Sequence, residues 1–552
     1  MNNSPKRLTL KSLSERLDEI EKRVAQLEDK FPAIPTVEEN QQSGSSISAS
    51  ELQIEQEELE MQIGENWFAR IGIIIMTLGI IFFLTYSFEA LPPWFAPVLG
   101  LVATLVLFGI SKWMKEENGL VSGYLFGAGW IVAFFLVLRL HFFSASPLIG
   151  KIPVEILLFL LISVFLWQAY KNQSLYLTVM GTAMGAILAL LLDNPPLTFA
   201  ALTALSSWTA FTRIRRDQAG VLIAGQFLVF FSHLLWFLNN PIAGRKIELV
   251  HEPHYHLYFI LIYIIVFAMG NLFRPDRSRE DSRVVLNCFL SAFMGFGLFL
   301  LASISGPKIH FSTNQFVAFT IMMALATMFW IKEESKISTF TYAMIAYGAL
   351  SVAIISRFTP PNYFFWLCWQ SLLVIVTALW FRSKIIVLAN FIIFLLIFMI
   401  SVILAGNRSD IAFSFGMVAL LSARIMNWQK HRLDLRTEFM RNSYLVTTFV
   451  ILPYAIYRAL PVTWEIFGWI CLAGLYFLLS LLLNNRKYRW MGIGTLFITI
   501  GYIFVIGIIR LEGIYRILSF LALGFVLVLI SLVYSRIRRK QTTMMKESDS
   551  SK

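Results

Sequence analysis

The sequence predicts an all-α fold, a polytopic transmembrane helical bundle of about 18 spans with an N-terminal cytoplasmic coiled-coil segment. Three observations carry the prediction. The 552 residues are 57% hydrophobic and only 14% charged, whereas soluble domains carry nearer a quarter of charged residues. Apolar runs of 18 or more residues recur from Trp67 to Tyr534, and each is long enough to cross about 30 Å of hydrocarbon. The apolar/polar alternation of a membrane β-barrel is absent.

Residues 1–31 come first. Leu10, Leu13, Leu17, Ile20, Val24, Leu27 and Phe31 fall at alternating spacings of three and four, with charged flanks. That is the seam of a short coiled coil. Three heptads are marginal alone, so residues 10–31 call for self-association or a partner helix; a lone amphipathic helix is the other reading. Pro32 and Pro35 end the segment. Residues 32–66 combine a flexible linker, "EENQQSGSSISAS", with an acidic helix, "ELQIEQEELEMQIGENW", that leads into the membrane. No cleavable signal peptide is visible, which makes the run from Trp67 the first insertion signal.

Residues 67–535 form the transmembrane domain. Candidate spans start near residues 67, 92, 120, 152, 174, 195, 219, 255, 284, 313, 337, 362, 384, 411, 440, 462, 488 and 513. Loop charge tests this partition. With a cytoplasmic N-terminus, the cytoplasmic loops carry 22 Lys and Arg and the outer loops 8. "RIRRDQ", "RPDRSREDSR", "QKHRLDLRTEFMR" and "NNRKYR" all fall on the inner side, as does the basic tail "SRIRRK", most of which belongs to residues 536–552. A miscounted span would swap the two sets downstream, and no swap occurs. The positive-inside rule therefore places both termini in the cytoplasm. The net charge of +12 is explained by topology, with the lipid bilayer as partner and no nucleic acid.

The outer loops are short and proline-rich: "EALPPWF", "LLDNPPLTF", "SRFTPPNYFFW" and "YRALPVTWEIF". Their spacing fits a tandem repeat of residues 67–273 and 337–535. Little else aligns between the two halves, and independent recruitment of proline to tight turns is the other reading.

Two stretches resemble a known family. "IGENWFARIGIIIMTLGIIFFLTYSFE" (63–89) and "GYIFVIGIIRLEGIYRILSFLALGFVLVLISLVYSR" (501–536) are similar to bacterial multi-pass membrane proteins grouped as domain of unknown function 2339. The family pattern of the last span corresponds here to Leu511, Gly513, Arg516, Ser519, Phe520, Leu523 and Gly524. The chain departs from the family at charged positions: Thr85 stands before Tyr86 where the family has Lys, and Tyr502 and Gly507 stand where Lys and Asp are expected. The resemblance implies a multi-pass membrane protein and no established activity.

Soluble-enzyme motifs are missing: there is no P-loop, no HExxH and no Gly-x-Ser-x-Gly. No cofactor is implied. Cys288, Cys368 and Cys471 lie far apart in apolar runs and read as packing residues. "GTAMG" (181–185) reads as a close helix crossing. Mid-span polar residues are few: Gln226, His233, Asn287, Gln370 and Asn390 read as interhelical hydrogen-bonding groups.

Charge gathers instead near the outer span ends. Glu89, Arg139, Glu155, Asp193, Arg357, Arg458, Glu465, Arg510, Glu512 and Arg516 all fall there. Snorkelling and local ion pairs account for any one of them. Ten together suggest an outward-facing polar cavity, in which arginines suit phosphate-like oxyanions and carboxylates serve as bases or counter-charges. In one outer loop His251, His254 and His256 supply the ligand type of a divalent metal; a solvated loop is the other reading. Three functions follow as expectations. The first is a transporter or flippase-like protein for an anionic or amphiphilic substrate. The second is an integral-membrane enzyme acting on a lipid-linked substrate at the outer face. The third is a scaffold acting through the coiled coil.

Overall fold

A computed structural model describes residues 68–86, 92–143, 147–250, 252–275, 282–333, 335–404, 406, 408–428, 437–483, 485–507, 514, 517–519, 521–524 and 528. The predicted coiled coil at 10–31, the linker to residue 66 and the tail from 536 lie outside the described residues. So do Glu89, His251, Arg510, Glu512 and Arg516.

Among the described residues there is no strand. Seventeen long helices follow one another: α1 (Phe68–Thr85), α2 (Phe95–Trp113), α3 (Gly119–Arg139), α4 (Lys151–Lys171), α5 (Leu175–Leu191), α6 (Pro195–Arg216), α7 (Ala219–Phe237), α8 (His256–Leu272), α9 (Ser282–Ser305), α10 (Lys308–Glu333), α11 (Lys336–Arg357), α12 (Tyr363–Trp380), α13 (Lys384–Leu404), α14 (Ser409–Trp428), α15 (Thr437–Ala459), α16 (Val462–Leu482) and α17 (Arg486–Tyr502). Among the described residues, twelve helices are long and apolar enough to cross a membrane, and three shorter apolar helices accompany them.

Each helix starts within five residues of its expected position. The largest difference is at α10, which begins at Lys308 and not near 313. Its first turns, "KIHFSTNQ", are polar and invisible to an apolar window, yet they are helical. Helix starts follow ordinary capping rules. Ser174, Ser335 and Asn485 accept backbone N–H bonds at the starts of α5, α11 and α17. Asn194 precedes Pro195 at the first position of α6.

The chain divides into two compact units, residues 1–79 with 107–128 and residues 80–106 with 129–552. In the first, Ser111 and Ser122 exchange side-chain to carbonyl hydrogen bonds of 2.8 and 2.7 Å, joining α2 to α3. Phe108 and Phe126 pack with ring centroids 5.6 Å apart, and the Arg70 guanidinium lies 5.2 Å from the centre of the Tyr124 ring.

The second unit contains α4–α17. Sequential helices pack antiparallel, most extensively α10 on α11, α14 on α15 and α16 on α17. Next-but-one contacts (α5 with α7, α6 with α8, α7 with α9, α8 with α10, α9 with α11) make α5–α11 a zigzag in two rows. Small residues permit the tightest crossings: a Cβ on Gly181 would stand 2.7 Å from Leu166, and one on Gly185 2.6 Å from Leu205. "GTAMG" thus seats α5 between α4 and α6. On α13, Ile385, Ile392, Ile393, Leu396, Met399 and Ile403 are exposed. A helix this apolar on its outer face is at rest only in lipid.

Candidate functional site

Five of the described members of the charged set have local partners. Arg139 ends α3, is buried, and donates from Nη1 to the Phe143 carbonyl. Glu155 on α4 lies 3.7 Å from Lys151, one turn before it. Asp193 pairs with Arg245. Arg357 ends α11 and is exposed. Arg458 closes α15 and donates to the Gly406 carbonyl at 3.0 Å. Glu465 begins α16, is 3% exposed, and accepts a hydrogen bond from the Tyr502 hydroxyl. The partners of these residues come from outside the set.

One corner of the second unit does collect polar groups, at the far ends of α15 and α17 and the starts of α12, α14 and α16. Arg408 Nη2 donates to Asp410 at 2.7 Å and to Asn362 Oδ1 at 3.2 Å. The hydrogen bond with Asp410 pushes the Arg408 guanidinium further above its ordinary pKa, so its charge is fixed. Two residues earlier in the same loop, the Gly406 carbonyl receives Arg458. Arg408, Arg458 and Tyr454 line a crevice of about 10 Å³, room for roughly one water.

Beside this corner the helices lose regularity. Pro453 stands inside α15, where it removes a backbone donor and disturbs the turn before it. Its carbonyl accepts the Trp469 indole N–H at 3.0 Å. Trp469 in turn meets the Tyr502 ring edge-on, with centroids 4.8 Å apart. After Tyr502 the chain continues as a π-turn, Ile503–Gly507, a wide turn that often marks a functional position. A buried carboxyl, a proline-containing helix and a π-turn therefore meet through the contacts of Trp469 and Tyr502.

Tyr502 has a clear role at the position where the family resemblance led to Lys. A lysine would give Glu465 a charged partner; the phenol gives it a neutral donor. Sequence reading marked this position as a departure without identifying its partner, because Glu465 and Tyr502 are 37 residues apart. Arg408 and Asp410 were missed. Their closeness in one loop was the available signal.

A second group of buried polar residues lies in α7–α11. Gln226 donates to the Asn287 carbonyl at 3.1 Å, and Asn271 donates to the Val284 carbonyl and Cys288 Sγ at 3.4 Å each. Arg274, just past α8, binds Glu333 at the end of α10 at 2.7 Å, with both side chains nearly fully buried. Sequence reading counted Arg274 among the basic residues of an inner loop and did not single out Glu333. The histidine cluster is divided: His254 is exposed, while His256 opens α8, is buried, and meets His233 with 3.2 Å between Nδ1 and Nε2. Phe199 stacks on His233 and Trp236 packs against His256, with centroids 5.0 and 5.2 Å apart. Among the described residues, no three His, Cys, Asp or Glu side chains gather as a metal would require.

The helices and their exposed apolar faces define a multi-pass helical membrane protein. The chain belongs to the family of predicted membrane proteins designated domain of unknown function 2339, which matches residues 64–464. The stretch 501–536, which carries half of the resemblance, lies beyond the matched residues, as do Glu465 and Tyr502. No curated protein and no solved structure matches the chain.

Proposed function

We propose that this protein is a transporter or flippase-like carrier for an anionic or amphiphilic substrate, with its entrance among the charges at the outer span ends. In this reading the chain crosses a bacterial inner membrane about eighteen times, with both termini cytoplasmic, because the loops divide so strongly by charge. The observation that carries the reading is the neighbourhood of Glu465. Buried ionisable residues in membrane helices are expensive and are kept for substrate, ion or proton pathways. Carriers place such groups beside interrupted helices, whose free backbone groups complete the site. Glu465 has Pro453 of α15 and the π-turn after Tyr502 within one chain of contacts.

Each part then has a role. Arg408 and Arg458 offer fixed positive charge to a phosphate-like group at the mouth, as guanidinium forks bind oxyanions well. Glu465, held by the Tyr502 hydroxyl, is the interior group that couples to movement. Arg510, Glu512 and Arg516 lie outside the described residues and belong to this set by sequence position alone. Arg139, Glu155, Asp193 and Arg357 complete the outward-facing set at the other span ends.

Purified protein in liposomes containing a fluorescent phosphatidylglycerol tests the reading. The wild-type chain is expected to speed movement of the labelled lipid between leaflets, read by quencher accessibility. Arg458→Ala removes one charge-assisted contact and should slow movement roughly tenfold or more. A wild-type rate equal to that of protein-free liposomes contradicts the carrier reading for this lipid class.

A further inference from the structure

At the opposite end of α15 a groove opens between α15 and α17. Asn442, Leu445, Val446 and Phe449 form one wall and Lys487, Trp490 and Met491 the other. It encloses about 390 Å³. Along α15 it runs roughly 10 Å, at 1.5 Å per residue. The floor closes where Phe449 approaches Gly494, on which a Cβ would stand 3.0 Å from the ring. Val446 and Trp490 are 62% and 72% exposed.

The chemistry changes along the groove. Its deep part is apolar. Its mouth is cationic: Lys487 Nζ is 2.6 Å from Asn442 Oδ1 and 3.8 Å from Glu438, while Arg441 reaches the same Glu438 oxygen at 3.2 Å. Two cations thus share one carboxylate, itself 77% exposed. Arg486 and Arg489 flank them in the first turn of α17. The mouth carries net positive charge at the level where α15 and α17 begin. Trp490 stands just inside it, at the depth where aromatic residues meet lipid headgroups.

We propose that this groove binds one anionic phospholipid, with the phosphate at Lys487 and Arg441 and an acyl chain along Val446, Phe449, Trp490 and Met491. Charge and polarity select this occupant. A basic pocket between membrane helices suits an anionic headgroup, and the apolar wall below it has the length of several methylenes. The chain's own tail does not complement the mouth, since "RIRRK" (536–540) is itself basic. The acidic stretch 51–60 has the opposite charge and is the competing occupant that the test separates. The site is independent of the carrier reading, because equilibrium binding measures it without movement.

The test uses the full-length chain in detergent, titrated with dibrominated phosphatidylglycerol or phosphatidylcholine and read by tryptophan quenching. The anionic lipid should bind at least roughly fivefold tighter, the effect expected of about one basic side chain at a headgroup. Trp490→Phe should remove the part of the quenching that saturates first. Lys487→Gln should abolish the preference and Lys487→Arg should keep it. Val446→Phe, which fills the groove and leaves the charges alone, should weaken both lipids. Equal affinity for the two lipids overturns the proposal, as does an unchanged preference in Lys487→Gln. Full competition by glycerol 3-phosphate would show a headgroup site without a chain groove. Cross-linking of a cysteine at 446 to residues 51–60, undisturbed by added phosphatidylglycerol, would assign the groove to the chain itself.

Discussion

At the residue scale, four of the five mid-span polar side chains reach a neighbouring helix as the sequence suggests, while the Asn287 amide donates within its own helix to the Arg283 carbonyl. Gln370 donates to the Tyr347 carbonyl and Ser351 Oγ at 2.9 Å each, and Asn390 reaches Ser371 Oγ at 2.8 Å and the Tyr444 hydroxyl at 3.1 Å. Such bonds join helices because hydrocarbon offers no alternative partner. Their residue types were legible; their partners were not, because sequence order does not state which helix faces which. Charge near span ends was harder to read. Arg274 and Glu333 look like solvated loop residues, yet both are buried against each other. Removing one member leaves the other buried and uncompensated, at about 3–5 kcal/mol. Glu333→Gln should therefore lower thermal stability sharply, while Arg274→Met with Glu333→Leu should recover most of it. Unfolding of the detergent-solubilised variants checks this; an unchanged midpoint in the single variant would mean that the pair is not buried in the folded protein.

At the element scale, helix positions were readable because apolar length and capping residues are local properties. Pairing depends on which small residues face a neighbour. "GTAMG" is the exception that sequence could read, since two glycines four apart on one helix face invite close approach. Gly181 and Gly185 meet Leu166 and Leu205. Gly185→Val should force those side chains apart and cost about 1–3 kcal/mol by overpacking, seen as a lower unfolding midpoint. Gly297→Val, at a glycine with open space around it, is the control and should change little. Irregular elements were not legible. Pro453 was visible as a letter, but the π-turn after Tyr502 has no sequence mark, and the contacts of Trp469 are what connect the two.

At the scale of the whole molecule, the α12–α17 end of the second unit carries two polar regions on opposite ends of one helix. Lys487 and Arg441 stand where α15 begins; Arg458 and Glu465 stand where it ends. A carrier of an anionic amphiphile has use for both, one beside each leaflet. Of the ten outer charges read from the sequence, Arg458 and Glu465 are drawn into this corner, and Arg408 joins them from a loop that sequence reading passed over. Arg139 and Asp193 bind the Phe143 carbonyl and Arg245, and Glu155 lies 3.7 Å from Lys151. The difference is physical: in this corner Pro453 removes a backbone donor from α15 and α17 runs on into a π-turn. The central claim is that Glu465 couples to substrate movement. Its most direct test is the liposome assay with Glu465→Gln, which removes the carboxyl charge but keeps an acceptor for the Tyr502 hydroxyl. The account predicts wild-type unfolding behaviour with movement of the labelled lipid slowed about tenfold or more; a folded Glu465→Gln protein working at the wild-type rate would contradict it.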